Sequence, residues 1–477
     1  MMLSNSPVLT MQRKTAALLL VSAISLFTFP AAQAQSWNAP TLLNVNGSSL
    51  STNTSSQPYA GIAIDGAGKS VSAWLTAPTL SSSPQIWSAA LGATGGLTSP
   101  TAIYNPPFPT TYTIPPQVKV SAAGNATVVW VDSHGTWYAD QPLGQAWTVP
   151  QLLSTSTAGA KFAMNSQGDA IVALGSDRAY YAQPANVLAV RRPAGGTWSS
   201  AAIVDTVPSD RLGWFAQIFI DSLALNDNGD ALIGWENISA PAPCSGKGCG
   251  HINSLHVSRQ AQVGNYWDNK LLTSMTVIDK PVAAYPTSRV LLDAQGHAGT
   301  FYTAAVNGAA SYVASTQASG GQPWSPEKII FSIRTQVAAR ACLNAATDAS
   351  GNVTLLLGNT TQGIETVSGS LVDNNWTAVM PVPMTNVVPG QAMLAVGVDG
   401  ASVIAAASKD PVTLQTTIQA TQRPNTAGAW QTSTTLATIT NGYATVVGVD
   451  VNASAKAVVL YGNYNPVTFW SLYAVNN

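Results

Sequence analysis

Leu223-Ala224-Leu225-Asn226-Asp227-Asn228-Gly229-Asp230-Ala231-Leu232-Ile233-Gly234-Trp235 reads as two short apolar strands joined by a tight turn. The side chain of Asn226 can cap the turn's own backbone, and Gly229 can take the positive φ such turns require. The same unit returns as Ile62-Ala63-Ile64-Asp65 ahead of Gly68, as Val290-Leu291-Leu292-Asp293 ahead of Gly296, and as Asp348 ahead of Gly351. Weaker copies start at Ser121, Asn165, Asp399 and Asp450, which makes eight in all. Their spacing runs from 44 residues (Ser121 to Asn165) to 67 residues (Asn226 to Asp293). One supersecondary unit recurring along a chain marks a repeat architecture.

A second marker closes each unit: a Trp followed by polar residues and often Pro. Trp147, Trp198, Trp267, Trp324, Trp376 and Trp430 stand in that place, and the first unit has Leu97-Thr98-Ser99-Pro100. The eighth unit runs out at Asn477 without its Trp strand. The missing strand stands at the other end of the chain, as Trp37-Asn38-Ala39-Pro40. A last repeat completed by the N-terminus predicts a closed ring, an all-β propeller of about eight four-stranded blades. An open solenoid would need capping repeats instead.

Residue size inside the first strands agrees. Two positions before the turn residue stand Ala63, Lys119, Ala163, Ala224, Leu291, Ala346, Gly397 and Gly448, mostly small. Small side chains there let innermost strands crowd around an axis. Both faces of each blade are covered by neighbours, so the strands are apolar on both sides.

The repeat resembles the sialidase-like propellers, whose blades carry a Ser-x-Asp-x-Gly-x-Thr-Trp box in the turn before the outermost strand. Worn versions stand at that place here: Ala194-Gly195-Gly196-Thr197-Trp198, Gly320-Gly321-Gln322-Pro323-Trp324 and Asp373-Asn374-Asn375-Trp376. The resemblance implies the scaffold. The sialidase active site of three arginines, a Tyr-Glu pair and a further acid is not recognisable. The chain's three glutamates, Glu236, Glu327 and Glu365, show no such pairing.

Residues 1–34 read as an export signal. Arg13 and Lys14 precede the apolar run 15–29, and Ala32-Gln33-Ala34 offers a cleavage site. The expected product is a secreted or periplasmic propeller over residues 35–477, monomeric and without membrane insertion. Setting Arg13 and Lys14 aside leaves 18 basic against 21 acidic residues. That balance argues against a nucleic-acid partner, which would call for a basic patch. Cys244 and Cys249 are expected to close a small disulfide loop in an oxidising compartment. A metal site with His251 and His256 is the rival reading there. Cys342, in an apolar run, reads as a buried free thiol. No cofactor or metal motif is present.

Propeller connectivity puts the loops entering first strands and leaving second strands on one face, here called the top. Three of those loops are long. Residues 103–116 carry Tyr104, Phe108 and Tyr112; residues 205–216 carry Arg211 and Trp214; residues 236–254 carry the cysteine pair. Long loops on a rigid scaffold are where binding sites arise. Lys161, Arg289 and Arg340 stand near the starts of first strands, while Asp132, Asp177 and Glu236 follow second strands. In a chain only 9% charged, this grouping marks either a ligand site or ion pairs solvating the channel mouth. The expected function is an exported recognition module for a glycan or a cell-surface protein. Its binding residues would be Tyr104, Phe108, Tyr112, Lys161, Arg211, Trp214, Arg289 and Arg340. The alternative is a carbohydrate-active hydrolase or lyase using Asp132, Asp177 or Glu236 with Arg289 and Arg340.

Overall fold

The chain divides into two units, residues 1–34 and 35–477. The computed structural model describes residues 36–44, 49–50, 58–77, 84–106, 111–176, 184–207, 215–240, 251–261, 266–277, 288–306, 309–332, 340–359, 363–440, 442–465 and 469–477, all in the second unit. They form strands, turns and loops, with no helix among them.

Eight antiparallel sheets follow one another along the chain. Their first strands are Ala60–Ile64, Tyr112–Val120, Ala160–Met164, Phe215–Leu225, Arg289–Leu292, Arg340–Thr347, Val387–Val396 and Tyr443–Val451, taken here as blades 1 to 8. Each packs on the first strand of the next blade, and Tyr443–Val451 packs back on Ala60–Ile64. The protein is an eight-bladed β-propeller. Seven blades take their four strands in sequence order; blade 1 carries the extra strand Ser49–Leu50 beside Ser70–Ala77. Blade 8 borrows Thr41–Leu42 as its outermost strand, paired antiparallel with Phe469–Asn476. Trp37 leads into that strand and packs half-buried against the cluster of Ala395, Val403, Val451 and Ala457 between blades 7 and 8.

Hydrogen bonding within the turns explains the repeat. In all eight, the turn residue's N–H bonds the carbonyl four residues on, and the N–H three residues on returns to the turn residue's carbonyl. Asp65, Asn165, Asn226, Asp293, Asp348 and Asn452 also accept from the turn backbone through Oδ1. The asparagines do a second job. Asn165 Nδ2 donates to Asn226 O (3.1 Å), Asn226 Nδ2 to Asp293 O (2.9 Å) and Asn452 Nδ2 to Asp65 O (2.8 Å), lacing neighbouring blades at the lower end of the ring.

Two turns sit elsewhere than the sequence suggested. The seventh and eighth turn residues are Gly397 and Asn452, each two positions away from Asp399 and Asp450. Asp399 supplies a capping carboxylate from inside the turn, accepting from Ala401 N at 3.1 Å. Asp450 instead reaches across to blade 1 and accepts from Ile64 N at 3.0 Å. The small-residue series shifts with them: Ala63, Ala163, Ala224 and Ala346 remain, Ala395 takes the place of Gly397, and Asp450, in the place of Gly448, joins Lys119 and Leu291 as exceptions.

The hydrophobic core is distributed between blades. Val71, Ala73 and Leu75 of blade 1 pack with Val128 and Trp130 of blade 2, and Ala173 of blade 3 packs with Ile233 and Trp235 of blade 4. Trp74, Trp130 and Trp235, all on second strands, are fully buried. Each seam removes apolar surface that a lone blade would leave wet, and this ties the blades into one unit.

Candidate functional site at the channel mouth

Lys161 of blade 3 and Arg289 of blade 5 occupy the same place, four residues before their turn residues Asn165 and Asp293. Each is held by a polar clamp from the preceding blade. Gln117 of blade 2 donates through Nε2 to Ala160 O (3.0 Å) and accepts from Phe162 N (3.0 Å), gripping the backbone on both sides of Lys161. In blade 4, Ser222 Oγ donates to Ser288 O (3.2 Å) and accepts from Val290 N (3.1 Å), gripping both sides of Arg289. A side chain whose backbone is pinned on both sides loses less freedom when a ligand arrives.

Asp221 completes the arrangement. It is the extra residue of a β-bulge: Ile220 pairs with Trp235 and Ser222 with Gly234. A bulge re-aims its side chain, and Asp221 Oδ2 accepts from Ser288 N (3.0 Å) and Ser288 Oγ (3.1 Å). Arg289 Nη1 donates to Ser288 O at 3.2 Å. Gly234 makes the seam possible, since a Cβ there would come 2.6 Å from Ser288 Oγ and 2.7 Å from Ser222 Oγ.

Electrostatics single out the same group. Lys161 is exposed to solvent, yet crowding by protein and then repulsion from Arg289 hold its ammonium below the ordinary range, against the pull of Asp221. Burial raises Asp221 despite its bonds to Ser288 and the nearby Arg289 and Lys161. Glu236 is 4% exposed, and its Oε1 has no hydrogen-bond partner. Burial, then the charge of Asp221, pushes it up to about 7. No carboxylate among the described residues lies within ion-pair distance of Lys161 or Arg289. Two bracketed cations therefore stand with one engaged carboxylate, Asp221, which in turn acts on a buried acid whose ionisation is held back. Such a site favours an anion.

Of the other sequence candidates, Asp132 and Tyr104 are described, and each makes contacts of its own. Asp132 is fully buried at the hairpin between the second and third strands of blade 2, accepting from His134 N (2.8 Å) and Trp137 Nε1 (3.0 Å) through Oδ1. Those bonds build the hairpin, so Asp132 is not poised for a substrate through that oxygen. Tyr104 ends an outermost strand and packs on Trp130 and Trp137, with ring centroids 5.3 and 5.8 Å away. It belongs to the seam of blades 1 and 2 and not to the mouth. Arg340 and Tyr112 begin first strands, but their side chains lie outside the described residues, as do Phe108, Asp177, Arg211, Trp214, Cys244 and Cys249. Cys342 is a free thiol, half-buried, donating to Asn344 O at 3.4 Å.

No group of three His, Cys, Asp or Glu among the described residues is placed to hold a metal ion. His256 stacks on Trp235 at 4.0 Å, and burial pushes its imidazole down to about 4. Asp221 is the mouth residue missed in the sequence. Its signal was a lone carboxylate interrupting the apolar run 218–225.

No family model matches this sequence, and no curated protein matches it either. Among solved structures, the chain is similar to an ulvan lyase at 10% identity and a TM-score of 0.46, covering 91% of this chain and 95% of that one. It is also similar to a puromycin hydrolase at 12% identity and a TM-score of 0.44, covering 89% of this chain and 62% of that one. A third likeness, to an α-L-arabinofuranosidase from Podospora anserina, has 13% identity and a TM-score of 0.27 over 54% of this chain and 90% of that one. Similarity this low is a matter of general architecture, and the chemistry must be argued from the site.

Proposed function

We propose that this chain is an exported recognition module that binds an acidic glycan at the mouth of its propeller channel. The observation that carries the reading is the pair Lys161 and Arg289, each clamped from the preceding blade and each without a carboxylate among the described residues in ion-pair range. Charge-assisted hydrogen bonds to a carboxylate or sulfate are the interactions such a pair offers. The surrounding chain is net acidic, so the cations are a local feature and not part of a basic surface. Export rests on the signal-like segment 1–34, and the sialidase-like scaffold rests on the worn boxes, which fall between third and fourth strands.

One observation favours a second reading, a carbohydrate-active enzyme at the same mouth. Glu236, pushed up to about 7 and with an unpartnered oxygen, has the character of a general acid or base near neutral pH. A glycan array carrying carboxylate-, sulfate- and neutral-sugar ligands separates the two readings when bound hits are then incubated and assayed for chain cleavage. Retention of acidic hits without cleavage supports recognition. Cleavage lost in Glu236→Gln with the fold intact would transfer the case to catalysis.

A further inference from the structure

Arg192 of blade 3 and Arg423 of blade 7 occupy the same register, opposite Ala170 and Ser402, five residues after their turn residues. Both guanidinium groups lie over the Trp that follows them, 4.7 Å from Trp198 and 4.6 Å from Trp430. Both reach back to the same threonine of the preceding blade, Thr127 for Arg192 and Thr354 for Arg423. There the likeness ends. Arg192 Nη1 meets both carboxylate oxygens of Asp140 at 2.7 Å. The position paired with Thr354, as Asp140 is with Thr127, is Ser368, which accepts from Arg423 Nη1 at 3.2 Å.

Arg423 is therefore a buried cation, 4% exposed, with no carboxylate among the described residues in ion-pair range; Asp348 acts on it only from farther off, and its Nε, like that of Arg192, has no partner. A second replacement opens space beside it. Tyr138, two residues before Asp140, packs edge-on against Trp198 at 5.5 Å; its counterpart in blade 6 is the smaller Thr366. The outcome is a cleft of about 240 Å³ between blades 6 and 7, lined by Arg423, Ser368 and Thr366 with apolar walls from Trp430, Met380 and Pro381. Drug-sized ligands need roughly 300–1,000 Å³, so the occupant is small.

We propose that this cleft binds a small organic carboxylate with an apolar body, its carboxylate taking on Arg423 the place that Asp140 takes on Arg192. The apolar body lies against Trp430 and Met380. The site is separate from the channel mouth, since it lies at the lower ends of third strands on the outer part of the ring.

Phenylacetate is a suitable probe, with phenylacetamide as its uncharged counterpart. Thermal unfolding of the full chain should shift upward saturably with phenylacetate and not with phenylacetamide, because a ligand that binds only the folded state stabilises it. Ser368→Asp restores the missing carboxylate and should raise the unfolding midpoint without ligand while abolishing the phenylacetate shift. Thr366→Tyr refills the cleft as Tyr138 does and should also abolish the shift, giving an independent reading if Ser368→Asp folds poorly. The joint variant Lys161→Ala/Arg289→Ala should keep the full shift. The proposal is overturned if wild type shows no saturable shift, if phenylacetamide matches phenylacetate, if Thr366→Tyr responds as wild type does, or if the response disappears with Lys161 and Arg289.

Discussion

Asn38 and Asn476, 438 positions apart in sequence, are joined twice: Asn38 Nδ2 donates to Asn476 Oδ1 at 3.0 Å and Asn38 N to Asn476 O at 2.8 Å. Five residues on, Leu43 N bonds Leu472 O at 2.8 Å, and the Leu43 side chain, 1% exposed, packs with Trp74 of blade 1 and Trp470 of blade 8. The N-terminal segment thus seals the ring with both backbone bonds and a buried side chain. Leu43→Ala should cost about 2–5 kcal/mol, as other large-to-small core replacements do. Denaturant unfolding measures it; a loss near zero would mean the closing strand adds little to the ring.

Seven of the eight turns place glycine three residues after the turn residue, all with positive φ, for example +88° at Gly68 and +81° at Gly351. The eighth places Ala455 there at 58°. A non-glycine residue pays for the left-handed conformation, so Ala455→Gly should stabilise the fold by up to about 1 kcal/mol. The reverse change at Gly351 should be worse than conformation alone implies. Its new Cβ would lie 2.6 Å from Asp293 Oδ2. Paired thermal melts of Ala455→Gly and Gly351→Ala check both signs.

The Arg192–Asp140 pair locks blade 3 to blade 2, with Thr127 Oγ1 also donating to Asp140 Oδ1 at 2.6 Å. Removing Asp140 strands the guanidinium against the seam. Breaking a fully buried pair costs about 3–5 kcal/mol. Asp140 is 27% exposed at its side chain, and partial solvation discounts this to about 2–3 kcal/mol for Asp140→Ala. An unfolding free energy unchanged within error would contradict the seam-locking role.

Glu236 and His256 give stability opposite pH dependences. Glu236 is pushed up to about 7 from an ordinary value of 4.5, so the folded state holds its proton more tightly than the unfolded state does. Its contribution is fullest below 4.5 and is lost as pH rises through 7. His256 is pushed down to about 4 from 6.5, so the unfolded state takes the proton first and stability falls as pH drops from 6.5 toward 4. Glu236→Gln, which mimics the protonated acid, should therefore raise the melting midpoint more at pH 8 than at pH 5. An equal change at both would show that Glu236 ionises without penalty.

The ring was legible because turn chemistry is local. Asp65, Asn226 and Asp293 announce their turns through a capping side chain and a glycine three residues on. The same signal misled at Asp399 and Asp450, where a carboxylate two residues off imitates the turn residue while Gly397 carries no side chain to show itself. At the mouth, Lys161, Arg289 and Glu236 stood out as charges in a charge-poor chain. Asp221 also interrupts an apolar run, but its role depends on a bulge and on Ser288 of the next blade, and neither of those has a sequence signature. Tyr104 misled in the opposite way: an aromatic residue in a long loop looks free, but here it ends an outer strand and stacks on Trp130 and Trp137.

The central claim is that Lys161 and Arg289 form an anion-binding mouth, and direct titration tests it. Wild type and the joint variant Lys161→Ala/Arg289→Ala should be titrated by calorimetry with an acidic oligosaccharide drawn from the array and with its neutral counterpart. The account predicts binding of the acidic ligand by wild type, none of the neutral one, and at least about a tenfold loss in the variant, since each charge-assisted bond contributes about 1.5–3 kcal/mol. Equal affinity of a folded variant and wild type for the acidic ligand would contradict it.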